Sequence, residues 1–357
     1  MIDILKRRNE FIDMRSDTGT MPTDGMREAM AKAQVGDGGR VDLIFKGEDP
    51  SVTELEELAA KMLKKENAIM LPTGSLANHV ALLAVANRGD RILVEKNAHI
   101  LINEKYDFVD KGSGLVPICF HLNEHYLIDP EEIEYLVKDN DIKAMCIENT
   151  HNYSSGTCLT VENIAAIAKI AHKHNIHIHM DGARLFNAAI ALGVEAWQVV
   201  EHVDSVMFCV SKGLGAPVGS VLVGSDKFIH DAAVSRKFIG ASMRQAGIVA
   251  AGGVYALKHN IERLAEDHAN AHLLGELISG HPKLKFDQAA IQSNMVYVDV
   301  TPTGLNAQQV TTALAQRGLL VSKMTENEIR MVTNMNVSRE QVIEAVKIIE
   351  SYLDEIK

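Results

Sequence analysis

The chain has 357 residues, of which 46% are hydrophobic and 23% are charged, and its formal net charge is −11. This size and balance are typical of a globular enzyme with two domains, and the acidic charge without a basic run argues against nucleic acid as a partner. Four cysteines without a C-x-x-C pair, no signal-peptide core and no apolar run long enough to span a bilayer predict a cytoplasmic protein that does not bind membranes.

The N-terminal part of the chain predicts helices on either side of a long loop. Residues 1–14 predict a short helical arm that packs on its own chain or on a second subunit. A helix follows over residues 23–33, and the glycine-rich segment 35–50 predicts a loop that is functional or mobile. Ser51 and Glu54 have the spacing of a capping box, which predicts that the next helix begins there.

The turn after the predicted strand 68–71 suits an anion. It reads Pro-Thr-Gly-Ser and leads into an apolar helix, so Gly74 and Ser75 would place free backbone N–H groups at the positive end of that helix. Phosphate is the natural ligand of such a turn. A plain strand-to-helix loop with a capping serine is the alternative interpretation.

Two histidines follow predicted strands at positions where ligands bind. His99 comes just after the strand 91–95, where an imidazole can stack on a flat ring, although a packed or solvent-facing role is commoner for an isolated histidine. The strand 142–147 is followed by the polar cluster 148–152, which contains His151. Loops carry function more often than the elements that they connect, so this cluster is a candidate site.

Four further histidines, at positions 172, 174, 177 and 179, raise the question of a zinc site. They straddle a helix-to-strand junction, and no cysteine or carboxylate completes a ligand set. The sequence therefore predicts no metal site.

Two strands end in residues of opposite charge. Asp181 closes the predicted strand 177–180, and Lys212 follows the apolar run 205–210, with one helical crossover between them. Parallel strands would present both residues at one edge of a sheet, where ligands of α/β proteins bind. A lysine there can form a Schiff base, and an aspartate facing a pyridinium nitrogen completes what pyridoxal phosphate needs. A surface lysine after a strand is the alternative.

The composition changes after residue 255. Polar helices then alternate with short strands, which predicts a smaller α+β domain. The predicted strands are 284–286, 295–300, 319–321 and 329–332, and the predicted helices are 258–279, 306–317 and 338–356. The chain is therefore divided into an arm of residues 1–14, a large cofactor-binding domain of residues 15–255 and a small domain of residues 256–357.

Seven motifs in one order resemble the threonine aldolases, in the β-eliminating lyase group of fold-type-I pyridoxal-phosphate enzymes. They are Met-Arg-Ser-Asp-Thr from residue 14, Gly-Glu-Asp-Pro from 47, Pro-Thr-Gly-Ser-Leu-Ala-Asn from 72, Glu-Asn-Thr-His-Asn from 148, Asp-Gly-Ala-Arg from 181, Ser-Lys-Gly-Leu-Gly-Ala-Pro-Val-Gly-Ser from 211 and Met-Arg-Gln-Ala-Gly from 243. The resemblance implies an α/β fold whose large domain has a mostly parallel sheet flanked by helices, with a smaller C-terminal α+β domain.

The resemblance also assigns the cofactor-binding residues. Lys212 would hold pyridoxal 5'-phosphate through a Schiff base, and Asp181 would pair with its ring nitrogen. Gly74 and Ser75 would bind the phosphate, and His99 would stack on the ring.

The substrate-binding residues follow from the same motifs. Arg184, Arg330 and Ser16 would bind the carboxylate of an amino acid, and His151 would lie beside the reacting carbons. Arg244 would sit close to the cofactor, reaching from a neighbouring subunit of a homodimer or homotetramer whose site lies at the subunit interface.

Three departures from the family pattern surround these motifs. The loop of residues 36–49 is several residues longer and lacks the usual tyrosine. The usual Glu-Ala-Gly-Gly is replaced after His99 by a sequence that begins at Glu104, and Asn334 stands where the family has histidine. The cofactor and carboxylate sites are thus intact, whereas the pocket for the substrate side chain is altered.

The predicted reaction is cleavage of a β-hydroxy-α-amino acid of the L-threonine or L-allo-threonine type to glycine and an aldehyde. His99, His151 or an ordered water would take the proton of the β-hydroxyl group. β-Elimination, racemisation and transamination on the same site are the alternatives within this chemistry. A non-catalytic protein that binds a partner or senses an amino acid is the alternative outside it.

Overall fold

The computed structural model describes residues 10–38 and 47–356, so the predictions for residues 1–9 of the arm and 39–46 of the long loop lie outside the described residues. The helices are α1 Asp24–Ala31, α2 Pro50–Leu63, α3 Gly74–Val85, α4 Pro130–Asp139, α5 Val161–Lys173, α6 Leu185–Leu192, α7 Ala196–Val199, α8 Asp226–Phe238, α9 Gly247–His259, α10 Leu264–Ile278, α11 Ala307–Gln316 and α12 Arg339–Glu355. The strands are β1 Ile12–Asp13, β2 Asn67–Leu71, β3 Arg91–Glu95, β4 Val116–Phe120, β5 Ile142–Glu148, β6 His177–Asp181, β7 Ser205–Cys209, β8 Ser220–Gly224, β9 Met295–Asp299, β10 Leu319–Leu320, β11 Ser322–Lys323 and β12 Glu328–Val332.

A seven-stranded sheet forms the centre of the large domain. Its strand order is β2-β8-β7-β6-β5-β3-β4, with β8 antiparallel to both neighbours and every other neighbouring pair from β7 to β4 parallel. β7 and β8 are buried along their whole length, which explains their nearly continuous apolar sequences. The predicted mostly parallel sheet flanked by helices is confirmed.

The helices cover this sheet with the apolar faces that their sequences encode. In α5, Ile164, Ile167, Ala168 and Ala171 recur at helical spacing and all four are buried. Thr160 caps this helix by accepting a hydrogen bond from the backbone N–H of Asn163 at 3.1 Å. Within the described part of the chain, no helix combines the length and the apolar character that crossing a bilayer requires.

The C-terminal part of the chain builds a second, smaller sheet. β11, β12 and β9 pair in that order and are antiparallel, and α10, α11 and α12 pack beside them. This confirms the predicted α+β character. The strand predicted at residues 284–286 is wrong, because Lys285 forms only an isolated bridge with Asp299 and its neighbours do not continue the pairing.

Among the described residues, the two largest hydrophobic clusters belong to different sheets. The described end of the N-terminal arm is the strand β1, not a helix, and it pairs in parallel with β10. Ile12 and Met14 therefore belong to the core of the small domain. Leu264, at the start of α10, lies in the large core, whereas Leu274 in the same helix lies in the small one. The division at residue 255 stays a prediction, and we propose that the boundary runs through α10.

The start of α2 differs from the prediction. The helix begins at Pro50, and its cap is Asp49 and not Ser51. The Asp49 carboxylate accepts the backbone N–H groups of Ser51 and Val52 at 3.1 and 3.2 Å. Proline suits the first helical position because it lacks the N–H group that would otherwise need a partner, so Asp-Pro is the stronger start signal.

Candidate active site

A cavity of about 830 Å³ opens at the carboxyl ends of β5, β6 and β7, between the N-terminus of α3 and the small domain. Its lining contains eight of the ten predicted site residues, namely Ser16, Gly74, Ser75, His99, Asp181, Arg184, Lys212 and Arg330. These residues come from distant parts of the chain, so the fold brings together what the motifs only suggested.

Asp181 and Lys212 line the cavity, and neither forms a direct ion pair with a described residue. Asp181 is 4% exposed, and its carboxylate accepts the side-chain amide of Asn78 at 2.9 Å and the backbone N–H of Ala183 at 3.0 Å. Among the described residues, no lysine or arginine forms an ion pair with Asp181, and the Lys212 amine has no hydrogen-bond or ion-pair partner. A ligand with a basic ring nitrogen and a carbonyl group would satisfy both.

The N-terminus of α3 contributes an anion site. Thr73 caps the helix by accepting the N–H of Leu76 at 3.2 Å, which leaves the first N–H groups of the helix, those of Gly74 and Ser75, without an intrahelical acceptor. A Cβ atom on Gly74 would lie 2.8 Å from both Cys209 Sγ and Met207 Cε. Glycine is therefore needed for this close approach between helix and sheet.

His99 lies at the rim of the cavity among carboxylates. Its Nδ1 is 3.1 Å from an oxygen of Glu104, and its backbone N–H donates to Glu148 at 2.7 Å. Burial by itself lowers the pKa of His99, but the hydrogen bond to Glu104 and the charges of Asp181 and Glu148 outweigh it and raise the pKa. This imidazole thus stays protonated to a higher pH than an ordinary histidine.

The ligand atoms of His99, Glu104 and Asp181 lie within 4.8 Å of one another, which is a spacing that a metal ion could use. The side-chain amide of Asn78 donates to Asp181 and lies 3.2 Å from a Glu104 oxygen, so its hydrogens already bind both carboxylates. Because these hydrogens would repel a cation, we assign the cluster to an organic ligand.

Arg184 is held by a carboxylate that the sequence analysis did not single out. Its Nε and Nη2 both donate to Asp17 at 2.7 Å, and Asp17 is fully buried. Burial would raise the pKa of Asp17, but the charge and hydrogen bonds of Arg184 lower it well below the usual range. The predicted contact of Arg184 with a substrate carboxylate therefore depends on its third nitrogen, Nη1.

Arg330, unlike Arg184, has no carboxylate partner among the described residues. Its Nη1 donates to Asn152 at 2.9 Å and its Nη2 to the backbone oxygen of Arg15 at 3.1 Å. Its Nε is buried and has no hydrogen-bond partner among the described residues. The side chain lines the cavity, and these two contacts use only two of the five N–H donors of a guanidinium.

Comparison with known proteins identifies the family. The family model of the beta-eliminating lyases matches residues 13–301. The low-specificity L-threonine aldolase 1 of Arabidopsis thaliana is 38% identical over 340 residues, which cover 93% of each chain. The low specificity L-threonine aldolase of Escherichia coli K12 is 38% identical over 341 residues, covering 94% of this chain and 97% of that one. The chain belongs to the threonine aldolase family of β-eliminating lyases.

Solved structures agree with this family's fold. The threonine aldolase of Leishmania major superposes with a TM-score of 0.78 at 16% identity, covering 96% of this chain and 99% of that one. The serine palmitoyltransferase of Sphingomonas wittichii gives a TM-score of 0.76 at 20% identity, with 97% and 89% covered. Both comparisons show the fold alone.

Membership makes this β-eliminating lyase a pyridoxal-phosphate-dependent enzyme. The residues of the cavity fit that cofactor. The unpaired amine of Lys212 suits its aldehyde, the unpaired carboxylate of Asp181 suits its ring nitrogen, and the free N–H groups of Gly74 and Ser75 suit its phosphate.

Two predicted site residues of the lyase do not line the cavity. His151 is 2% exposed, and its Nε2 lies 3.0 Å from Glu95, behind the end of β5. The charges of Glu148 and Glu95 outweigh the effect of burial on His151 and raise its pKa. The side chain of Arg244 is 63% exposed and pairs with Asp37, outside the cavity of its own chain.

The sequence analysis gave no individual role to six lining residues, namely Asn78, Asn103, Glu104, Glu148, Asn152 and Tyr153. Glu148 and Asn152 belong to the polar cluster 148–152 that it did mark as a candidate site. The sequence does indicate Asn78, because this residue lies four positions after Gly74 and so shares its helix face. Glu148 pairs in register with Asp181 on the neighbouring strand, which a correct strand order would have revealed. Asn103 lies in the short π-helix Ile100–Glu104 and Tyr153 in a turn, and the sequence of neither segment gives such a signal.

Proposed function

We propose that this lyase cleaves β-hydroxy-α-amino acids of the L-threonine and L-allo-threonine type to glycine and an aldehyde. The curated relatives at 38% identity are low-specificity L-threonine aldolases. The observation that carries the proposal is the single cavity that holds the unpaired Lys212 and Asp181 beside two arginines, Arg184 and Arg330. Such a site can bind the cofactor and an amino acid at once.

Each of the proposed cofactor-binding residues binds a different group of the cofactor. Lys212 binds the carbonyl of the cofactor, Asp181 its ring nitrogen, and the N–H groups of Gly74 and Ser75 its phosphate, with His99 against the ring. When bound, pyridoxal phosphate supplies an electron sink for the bond that breaks at Cα of the amino acid.

The arginines orient the substrate. The contacts described above use two of the five N–H donors of each guanidinium, and both Arg184 and Arg330 line the cavity with Ser16. Together they would hold the carboxylate of the amino acid. A fixed carboxylate decides which bond at Cα aligns with the electron sink, and positioning of this kind lowers the barrier.

We propose that His99 is the base that accepts the proton of the β-hydroxyl group. It is the only one of the two predicted histidines, His99 and His151, that lines the cavity. Its Nδ1 faces Glu104, which stabilises the imidazolium that forms when Nε2 takes the proton, directly or through one water.

An aldehyde-release assay tests the proposal. Purified protein with pyridoxal phosphate is offered L-threonine, L-allo-threonine and phenylserine, and Lys212→Ala is the matched control. We expect aldehyde and glycine from the wild type and only the background rate from the variant. A keto acid without aldehyde would favour β-elimination or transamination, the D-amino acid without either product would favour racemisation, and no turnover of any substrate would overturn the proposal.

The same proposal covers assembly and location. We propose a cytoplasmic homodimer or homotetramer in which Arg244 reaches the site of a neighbouring subunit. Arg244 is exposed and lies in sequence between two exposed apolar residues, Phe238 at 85% and Ile248 at 52%, which supports a subunit contact there. All four cysteines are free, which supports a reducing compartment.

A further inference from the structure

A chain of hydrogen bonds leads from Asp181 away from the cavity, and the proposed reaction does not use it. Asn78 Nδ2 donates to Asp181 Oδ2 at 2.9 Å, and Asn78 Oδ1 lies 3.0 Å from His179 Nε2. His179 Nδ1 lies 3.0 Å from the hydroxyl of Ser205, which in turn lies 2.8 Å from His177 Nε2. The chain thus crosses from α3 through β6 to β7.

This chain is fully buried in its middle. Asn78, His179 and Ser205 are each 0% exposed. Apolar side chains would fill these positions without the cost of desolvating an amide, an imidazole and a hydroxyl group. The polar groups are all bonded to one another, so the arrangement is specific and not a packing defect.

The direction of each hydrogen bond follows by elimination. The Asn78 group that faces the Asp181 carboxylate must be the amide NH2, so the group that faces His179 is the carbonyl oxygen. His179 Nε2 must therefore carry a hydrogen. Burial lowers the pKa of His179 to about 3, so the ring is neutral and Nδ1 accepts the Ser205 hydroxyl. The Ser205 oxygen then accepts from His177 Nε2.

Every hydrogen bond in the chain consequently points toward Asp181. Hydrogen bonds aligned in this way polarise one another, and the bond that the Asn78 amide donates to Asp181 is strengthened most. A flipped Asn78 would set its carbonyl oxygen against the carboxylate of Asp181 and its NH2 against the Nε2–H of His179. His179 and the Glu104 carboxylate, which lies 3.2 Å from Asn78 Nδ2, thus both favour the orientation in which Asn78 donates to Asp181.

We propose that His179 is a positioning residue, which fixes Asn78 so that the Asn78 amide keeps the Asp181 carboxylate aimed at the ring nitrogen of the cofactor. The inference rests on the proposed function, because it needs Asp181 to bind that nitrogen. In this proposal, His179 contacts neither the cofactor nor the substrate and acts through the side chain of Asn78.

The test compares two ligands that differ only at the ring nitrogen. Apoprotein is titrated with pyridoxal phosphate and with its carbocyclic analogue, in which a C–H group replaces that nitrogen, and the ratio of the two dissociation constants is the readout. In His179→Leu, which removes the donor at similar volume, we expect the preference for pyridoxal phosphate to fall by about tenfold or more. His179→Gln keeps an N–H group at the position of Nε2 and should restore most of the preference.

A matched control separates positioning from stability. His268 is also a buried neutral imidazole bonded to an asparagine, Asn187, at 3.1 Å, and burial lowers its pKa to about 4. His268→Leu should weaken both ligands equally and leave the ratio unchanged. The milder Ser205→Ala should lower the ratio less than His179→Leu does, and it carries the test if His179→Leu does not fold.

The outcomes are distinct. An unchanged ratio in His179→Leu, or in Ser205→Ala if the leucine variant does not fold, would overturn the positioning role. A wild type that binds both ligands equally would refute the role of Asp181, and one that binds neither would refute the proposed site. The last two outcomes fall on the proposed function and not on His179 alone.

Discussion

At the scale of single residues, Asp17 and Arg184 are the most consequential pair. Both are buried, and the guanidinium donates twice to the carboxylate at 2.7 Å. Removing one partner of a buried pair leaves the other charged and desolvated, which costs far more than losing an exposed pair. The pair also fixes the wall of the cavity, because Arg184 lines it.

Asp17→Asn should lower the free energy of unfolding by about 3 kcal/mol or more at neutral pH. Arg184 lowers the pKa of Asp17 in the fold, so the stabilisation is complete above the ordinary aspartate pKa of about 4 and is lost as the pH falls. The difference between wild type and variant should therefore narrow below about pH 4. Urea unfolding across pH measures this.

Asp13→Asn is the matched control for that change. Asp13 pairs with Arg15 at 2.6 Å, but the two side chains are 36% and 43% exposed. Its substitution should cost at most about 1 kcal/mol. Equal losses in the two variants would contradict the argument.

At the scale of elements, Asp49 joins three segments at one carboxylate. It accepts the N–H groups of Ser51 and Val52 at the start of α2, of Gly247 at the start of α9, and of Gly36. The side chain is 1% exposed. Its helix-capping role is thus combined with a tertiary one that a capping motif alone does not reveal.

Asp49→Ala should destabilise the protein by about 3 kcal/mol or more, since four N–H groups lose a charged acceptor. Asp129→Ala is the control, because Asp129 caps α4 by accepting only the N–H of Glu131, at 2.9 Å. We expect about 1 kcal/mol for that simple cap. Urea midpoints of the two variants should differ clearly, and similar midpoints would show that the α9 and Gly36 contacts add nothing.

At the scale of the whole molecule, the proposed assembly places Arg244 in another subunit's site. Its exposed position in its own chain fits that role. A single polypeptide would then hold only part of each active site, and the residues Lys212 and Arg244 of one site would come from different chains.

Mixing inactive variants tests this directly. Lys212→Ala and Arg244→Ala subunits are unfolded and refolded together, and aldehyde release is measured against each variant alone. If the residues act across the interface, random mixing should restore about a quarter of the wild-type activity, since half of the dimers are hybrids and each has one intact site. Activity no higher than the mean of the separate variants would place both residues in one chain's site.

The sequence by itself determined the mostly parallel sheet, the small α+β domain and the residues Asp181, Lys212, Gly74 and Ser75 at the edge of that sheet. The periods of strands and helices can be read from short stretches of sequence, and the rule that ligands bind where parallel strands end then marks the residues that follow each strand. The start of α2 at Asp49 was also within reach, because Asp-Pro is a local signal as well.

Only the tertiary structure decided which side chains meet. Arg184 pairs with Asp17 across 167 positions, Arg330 bonds Asn152 across 178, and Asn78 holds Asp181 across 103. His151 likewise contacts the distant Glu95, and it does not line the cavity. Such partnerships depend on how strands and helices are ordered in space, and local periodicity carries no information about that order.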